Sequence, residues 1–241
     1  MQIVVNGAYV SGKVKIGNYV HWASMALLVV GFALSLPFSA AYIDQRTSIM
    51  MAYAALVGAL LLLNFGRTFT RRWGPKFRQD QWLIPNLKGL DNKSTLFNYA
   101  SADLPDHILV SPSGLYVLLP KPNGGKIRFD GSRWSRGSTG STIFRGLSEG
   151  GLGNPIEDVR RAMSLLAAYL KSHGSEDLVQ GLEARPVIVF TNPGAQLEVR
   201  NSQIPVLTTK ELKSLFRRAK PALSDQKVEE LKLVIGREVI S

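Results

Sequence analysis

Six cations, Lys121, Lys126, Arg128, Arg133, Arg136 and Arg145, fall within a stretch of 25 residues whose only acid is Asp130. Trp134 and Phe144 are interleaved among them. Cations with aromatics at this density can track a phosphate backbone and stack on a base, which is nucleic-acid chemistry. The same residues also suit a solvated hairpin edge kept from aggregating by its charges, or a surface lying against anionic lipid. Other chemistries are poorly supplied. The absence of cysteine excludes disulfides, thiolate metal sites and a cysteine nucleophile. His21, His107 and His173 are too widely spaced to suggest a His-rich metal site. The net charge of +11 points to an anionic partner, nucleic acid or lipid headgroups, although membrane topology rules account for part of it.

The elements that must position this strip begin after two apolar runs. Residues 21–43 carry no charge after His21, and residues 48–66 carry none at all. At ~1.5 Å per residue the first run makes about 34 Å of helix, enough for a hydrocarbon core of about 30 Å. Only Asp44, Gln45, Arg46 and Thr47 separate them, so the second helix must return antiparallel to the first. Lys13 and Lys15 precede the pair, and Arg67, Arg71, Arg72, Lys76 and Arg78 follow it. This placement predicts an integral membrane protein with both termini cytoplasmic. Tyr19, Trp22, Phe69 and Trp73 mark the interfaces, and Pro37 predicts a bend. Small residues at Gly31/Ser35/Ser39 and Ala54/Gly58 suit a packed hairpin or a homo-oligomer formed through these helices. No ionisable group lies within either run, so the hairpin reads as an anchor.

The expected organisation is a cytoplasmic segment over residues 1–20, read as a small β-hairpin broken at Gly7, Gly12 and Gly17. Two transmembrane helices follow within residues 21–69, then a basic linker over 70–80 and an α/β domain over 81–241. In that domain a helix is expected over 81–90 and a strand over 95–99. A β-hairpin over 107–119 turns at Ser111-Pro112-Ser113-Gly114, and a further strand covers 126–129. Asn154-Pro155 opens a helix that His173-Gly174 closes. Pro186 to Thr191 reads as a buried strand, 205–208 as a short one, and 209–219 and 224–235 as helices. The class is α/β, a mixed sheet with flanking helices.

The stretch Asp106-His-Ile-Leu-Val-Ser-Pro-Ser-Gly114-Leu-Tyr-Val-Leu-Leu119-Pro-Lys121, with Gly125-Lys126, Trp134, Asn154-Pro155 and the later apolar strand, resembles the nuclease-related (NERD) domain over residues 80–220. The resemblance implies a restriction-endonuclease-like, PD-(D/E)XK core. It implies that Asp106 is the metal-binding aspartate and Lys121 the catalytic lysine. The family's glutamate, two residues before the lysine, is here Leu119, and its glutamine beyond the Asn-Pro is here Asp158. The helix preceding the sheet, 73–90, contains no glutamate. A Glu-x-Lys pair on a strand sets carboxylate and ammonium on one face, where the acid helps hold Mg²⁺ over a phosphate. Leu119 removes that ligand.

Three functions follow as expectations. The first is a membrane-anchored nuclease-related domain without catalysis or cofactor, which binds nucleic acid through Lys126, Arg128, Arg133, Trp134, Arg136 and Arg145 or acts as a scaffold. The second is an active nuclease whose Mg²⁺ sits on Asp106 and Asp158 beside Lys121. The third is a structural membrane protein whose basic face binds anionic lipid or a partner protein.

Overall fold

In a computed structural model, residues 1–36, 44–75, 78–137 and 151–240 are described. The chain divides into two compact units, Met1–Asn6 with Gln79–Ser241, and Gly7–Arg78.

The second unit is a helical pair, α1 (Gly7–Ser35) and α2 (Gln45–Trp73). A Cβ on Gly17 would meet Phe69, one on Gly66 would meet Val20, one on Gly58 Leu27 and one on Gly31 Ala55. One member of each pair rises as the other falls, so the helices run antiparallel. Gly31 lies against Ala52 and Ala55, where a Cβ would stand 3.2 Å from the Ala55 side chain. Ala52, Ala55 and Ala59 of α2 are buried, as are Ser48 and Gly66, while Ala54 is exposed. Asp44 caps α2, its carboxylate accepting the Thr47 N–H at 3.2 Å. Ser39 and Pro37 lie outside the described residues.

The β-hairpin expected over residues 1–20 does not form. Gly7, Gly12 and Gly17 lie inside α1, because a glycine costs a helix only about 1 kcal/mol and packing on the partner helix outweighs it. Trp73 is 5 % exposed and meets Tyr9 edge-on at 5.5 Å, so it is packed within the pair.

The first unit is a three-layer α/β sandwich. Its strands are β1 (Gln2–Val5), β2 (Thr95–Asn98), β3 (His107–Ser111), β4 (Gly114–Lys121), β5 (Gly125–Phe129), β6 (Trp134–Arg136), β7 (Ala184–Phe190), β8 (Ala195–Val199) and β9 (Val206–Thr208). Its helices are α3 (Asp80–Leu87), α4 (Pro155–His173), α5 (Glu176–Val179), α6 (Thr209–Arg218) and α7 (Asp225–Ile240). The main sheet has six strands in the order β1-β2-β3-β4-β7-β9, and a second has three, β6-β5-β8. The β2–β3 and β3–β4 pairs are antiparallel, while β1–β2, β4–β7 and β7–β9 are parallel, giving the mixed sheet that the sequence predicts.

Alternation along the strands separates two cores. Leu115 and Val117 of β4, with Ile188 and Phe190 of β7, face Val159, Leu166 and Leu170 of α4 and Leu231 and Ile235 of α7. Tyr116, Leu118, Val187 and Val189 face Leu83 and Leu87 of α3 and Leu212 and Phe216 of α6. Helix α4 begins at Asn154-Pro155 as expected, although the Asn154 side chain makes no capping hydrogen bond. Helix α6 carries a capping box, with Glu211 accepting from both the N–H and the hydroxyl of Thr208 at 2.8 Å.

Two further features arise from pairing between distant segments. Residues 2–5 form the edge strand beside β2, so α1 and α2 are inserted in the α/β fold after its first strand. β8 pairs with β5 and completes the small sheet.

Candidate functional site

One edge of the main sheet gathers the residues with chemical potential. The strand directions bring together the end of β1, the end of β2, the start of β3 and the ends of β4, β7 and β9. Asp106 stands at that edge, immediately before β3, where its carbonyl accepts the Tyr99 N–H at 2.7 Å. The last paired residues of β3 and β4 are Ile108 and Val117, so Asp106 lies beyond that pair, toward the end of β4 that carries Leu119 and Lys121.

Lys121 closes β4. Pro120 and Pro122 flank it, and the sequence suggests that they end the ladder. The parallel ladder instead continues through Pro120 to the pairing of Lys121 with Phe190. The Lys121 carbonyl accepts the Thr191 N–H at 2.8 Å, so the polar backbone groups of Lys121 point toward β7. Those of Pro120 point the other way, where the β3 ladder has ended at Ile108, and the missing N–H costs nothing there.

The lysine side chain is 15 % exposed, and its Nζ lies 2.6 Å from Oδ2 of Asp158, in the first turn of α4. The same Nζ donates to the Leu152 carbonyl at 3.4 Å. Leu119, half-buried, packs on the core beneath α4. Asp158 therefore supplies a counter-charge that a glutamate at position 119 would otherwise offer. A half-buried ammonium needs such a partner, since desolvation is costly without one.

The opposite face of the same edge holds an acid that is an aspartate, in the segment that has no glutamate. Asp80, 2 % exposed, opens α3 next to Gln79, whose Oε1 accepts the Thr191 hydroxyl at 2.8 Å. Among the described residues no group of three or more His, Cys, Asp or Glu side chains is disposed to hold a metal ion. His107 is engaged in structure, its Nδ1 lying 2.8 Å from Asn98 Oδ1 with both residues buried. His173 stacks on Tyr169 at the end of α4.

The basic strip does not form one surface. Lys126 and Arg128 share the solvent face of β5, and both reach Glu198 of β8, at 2.6 and 2.7 Å. Arg136 pairs with Ile127 in register, so alternation turns it toward the other face, and its Nε donates to the Gly124 carbonyl at 2.8 Å. Trp134 is half-buried against Phe129 and Phe190, at centroid distances of 4.7 and 6.1 Å. It is a core ring, not an open stacking platform. Arg133 is exposed in a turn closed by the Asp130 carboxylate. Arg145 and Phe144 lie outside the described residues.

Glu198 is the residue that the strip's sequence could not reveal, because it belongs to a strand 70 residues away from Arg128. The Lys126 ammonium, followed by the Arg128 guanidinium, holds its carboxyl below the ordinary range. A depressed carboxyl contributes stability above its unfolded pKa, and that contribution disappears as pH falls through the folded value. The Glu198 side-chain carbon is therefore expected to titrate below free glutamate by NMR, and Lys126→Ala to move the midpoint upward. An unmoved midpoint would show that the bridge does not persist in solution.

A mixed sheet between two helical layers, with an acid before one strand and a lysine ending the next, places the unit in the mixed α/β class. Within it, residues 85–191 match the family model of the nuclease-related domain, NERD, and the chain carries that domain. No curated protein and no solved structure matches the chain.

Proposed function

We propose that this chain is a membrane-anchored nuclease-related domain that has lost phosphodiester hydrolysis and serves as a nucleic-acid-binding or scaffold module. The observation that carries this reading is the 2.6 Å pair between Lys121 and Asp158, beside Leu119 on the same strand. Mg²⁺ in such a fold is held through carboxylates, substrate oxygens and water. Here one flanking carboxylate is replaced by a leucine and another is committed to the lysine ammonium. This donor set does not fit a divalent ion. The lysine, already neutralised, is also poorly placed to steady developing charge on a phosphate.

Two helices long and apolar enough to cross a bilayer support the anchor. The position of β1 adds a topological argument. Residues 2–5 pair with β2 in the same unit as the residues from Gln79 onward, which supports an even number of membrane crossings for the inserted segment. Lysine and arginine placement then assigns both termini to the cytoplasm.

The full chain in detergent, incubated with plasmid or single-stranded DNA and Mg²⁺ or Mn²⁺, is expected to cut no faster than its Asp106→Ala variant. It is expected to retain single-stranded DNA with an affinity that falls steeply with salt. Cleavage abolished by Asp106→Ala would restore the active-nuclease reading.

A further inference from the structure

The two helical layers of the α/β unit differ in charge. α4 carries three Lys/Arg and two acids, and α7 three Lys/Arg and four acids. That layer is balanced and stitched internally, by Arg160–Glu157 and Lys232–Glu229. On the other side, α3 and α6 with their C-terminal flanks hold Lys88, Lys210, Lys213, Arg217, Arg218 and Lys220. Their acids are Asp80, which is buried, Glu211, which is engaged in the capping box, and Asp91, just past Lys88, whose carboxylate accepts the Lys93 N–H at 3.0 Å. None of these six cations makes an ion pair among the described residues.

Lys210, Lys213 and Arg217 recur at the spacing of one helical face, flanking the Leu212 and Phe216 side that enters the core. The Lys213 Nζ lies 3.1 Å from where a Cβ on Gly89 would stand, so this stripe reaches the end of α3 beside Lys88. Trp82, on α3, is 44 % exposed. A layer that presents an exposed tryptophan and unpaired cations has the composition of a protein surface that meets lipid headgroups. Moreover, α3 starts at Asp80, shortly after α2 ends at Trp73. Tethering by so short a link makes even a weak lipid contact effective.

From this we infer that the α3/α6 layer docks on anionic lipid headgroups of the bilayer that holds the hairpin, an inference that rests on the anchor proposed above. Each basic residue near such a surface multiplies the docked population roughly five-fold. Reversing three of them should reduce it at least about 100-fold.

The full chain is reconstituted with vesicles of phosphatidylcholine alone, or of phosphatidylcholine with phosphatidylglycerol, and its lysines are acetylated and read by mass spectrometry. Flotation with neutral vesicles tests the anchor by itself. Lys88, Lys210, Lys213 and Lys220 are expected to react about five-fold or more slowly in anionic vesicles, while Lys171 and Lys227 of the balanced layer keep their rates. At about 1 M salt, where screening acts within about 3 Å, the difference should disappear. Lys210→Glu/Lys213→Glu/Arg217→Glu should abolish the protection of Lys88 and Lys220 while leaving flotation intact. Equal rates in the two vesicles would overturn the inference, as would protection by single-stranded DNA and not by anionic lipid. A chain that floats only with anionic vesicles would overturn the hairpin anchor and leave the docking face standing.

Discussion

A chain in which residues 7–78 are replaced by about 15 Gly/Ser residues is expected to fold as a soluble monomer, and a chain that starts at Gln79 to aggregate. The difference is β1. Its four residues pair with Thr95, Leu96, Phe97 and Asn98, all buried. Val4 rests on one core and Met1 on the other. The Asn6 side chain donates to the Ala100 carbonyl at 2.9 Å, and the Gln2 N–H to the Ser94 carbonyl at 2.8 Å. At about 1 kcal/mol for each hydrogen bond and similar amounts for the partly buried side chains, the strand contributes on the order of 3–5 kcal/mol. That is a large part of a domain stability of about 5–15 kcal/mol. Without it, β2 becomes an open apolar edge that recruits other chains.

The linker length follows from the sheet. Strand β1 lies four strand steps from β7, where Gln79 is bonded through Thr191. Four steps of about 4.8 Å come to ~19 Å, and 15 flexible residues span about 21 Å on average. Size-exclusion chromatography and urea unfolding of the two chains decide the matter. Equal stability and a monomeric state without residues 1–6 would show that β1 is dispensable.

Leu119→Glu is expected to create a divalent-ion site, raising Mn²⁺ affinity at least about ten-fold over the natural chain. The new carboxylate would stand two residues before Lys121 on the same face of β4, at the sheet edge where Asp106 precedes β3. Two carboxylates at one sheet edge suffice for Mg²⁺ or Mn²⁺ when water completes the shell. The half-buried leucine's packing is lost, which lowers stability by about 1–2 kcal/mol. Leu119→Gln carries the same packing loss without the charge, and titration calorimetry should show no gain for it. Equal affinity of the natural chain and Leu119→Glu would mean that position 119 does not decide metal binding.

Much of the fold is legible in local residues. The two uncharged runs, the turn at Ser111 to Gly114, the Asn154-Pro155 start and the apolar strand ending at Phe190 each carry their signal within a few neighbours. Helical or alternating period and turn chemistry are short-range physics, so the α/β class and the helical pair follow from them. The order of those signals also carries the likeness to the nuclease-related domain.

Tertiary structure decided what depends on distant partners. Residues 2–5 are too short and too exposed to announce a strand, and they become one because β2 needs an edge partner. Gly7, Gly12 and Gly17 read as breaks until packing between two long helices overrides their propensity. The basic strip reads as one surface in a line of residues, yet alternation and Glu198 divide it. Lys121 and Asp158 are 37 residues apart in the chain, and only the seating of α4 on the sheet brings them to 2.6 Å. Charge pairing acts through space, so the sequence could name both residues without revealing that each neutralises the other.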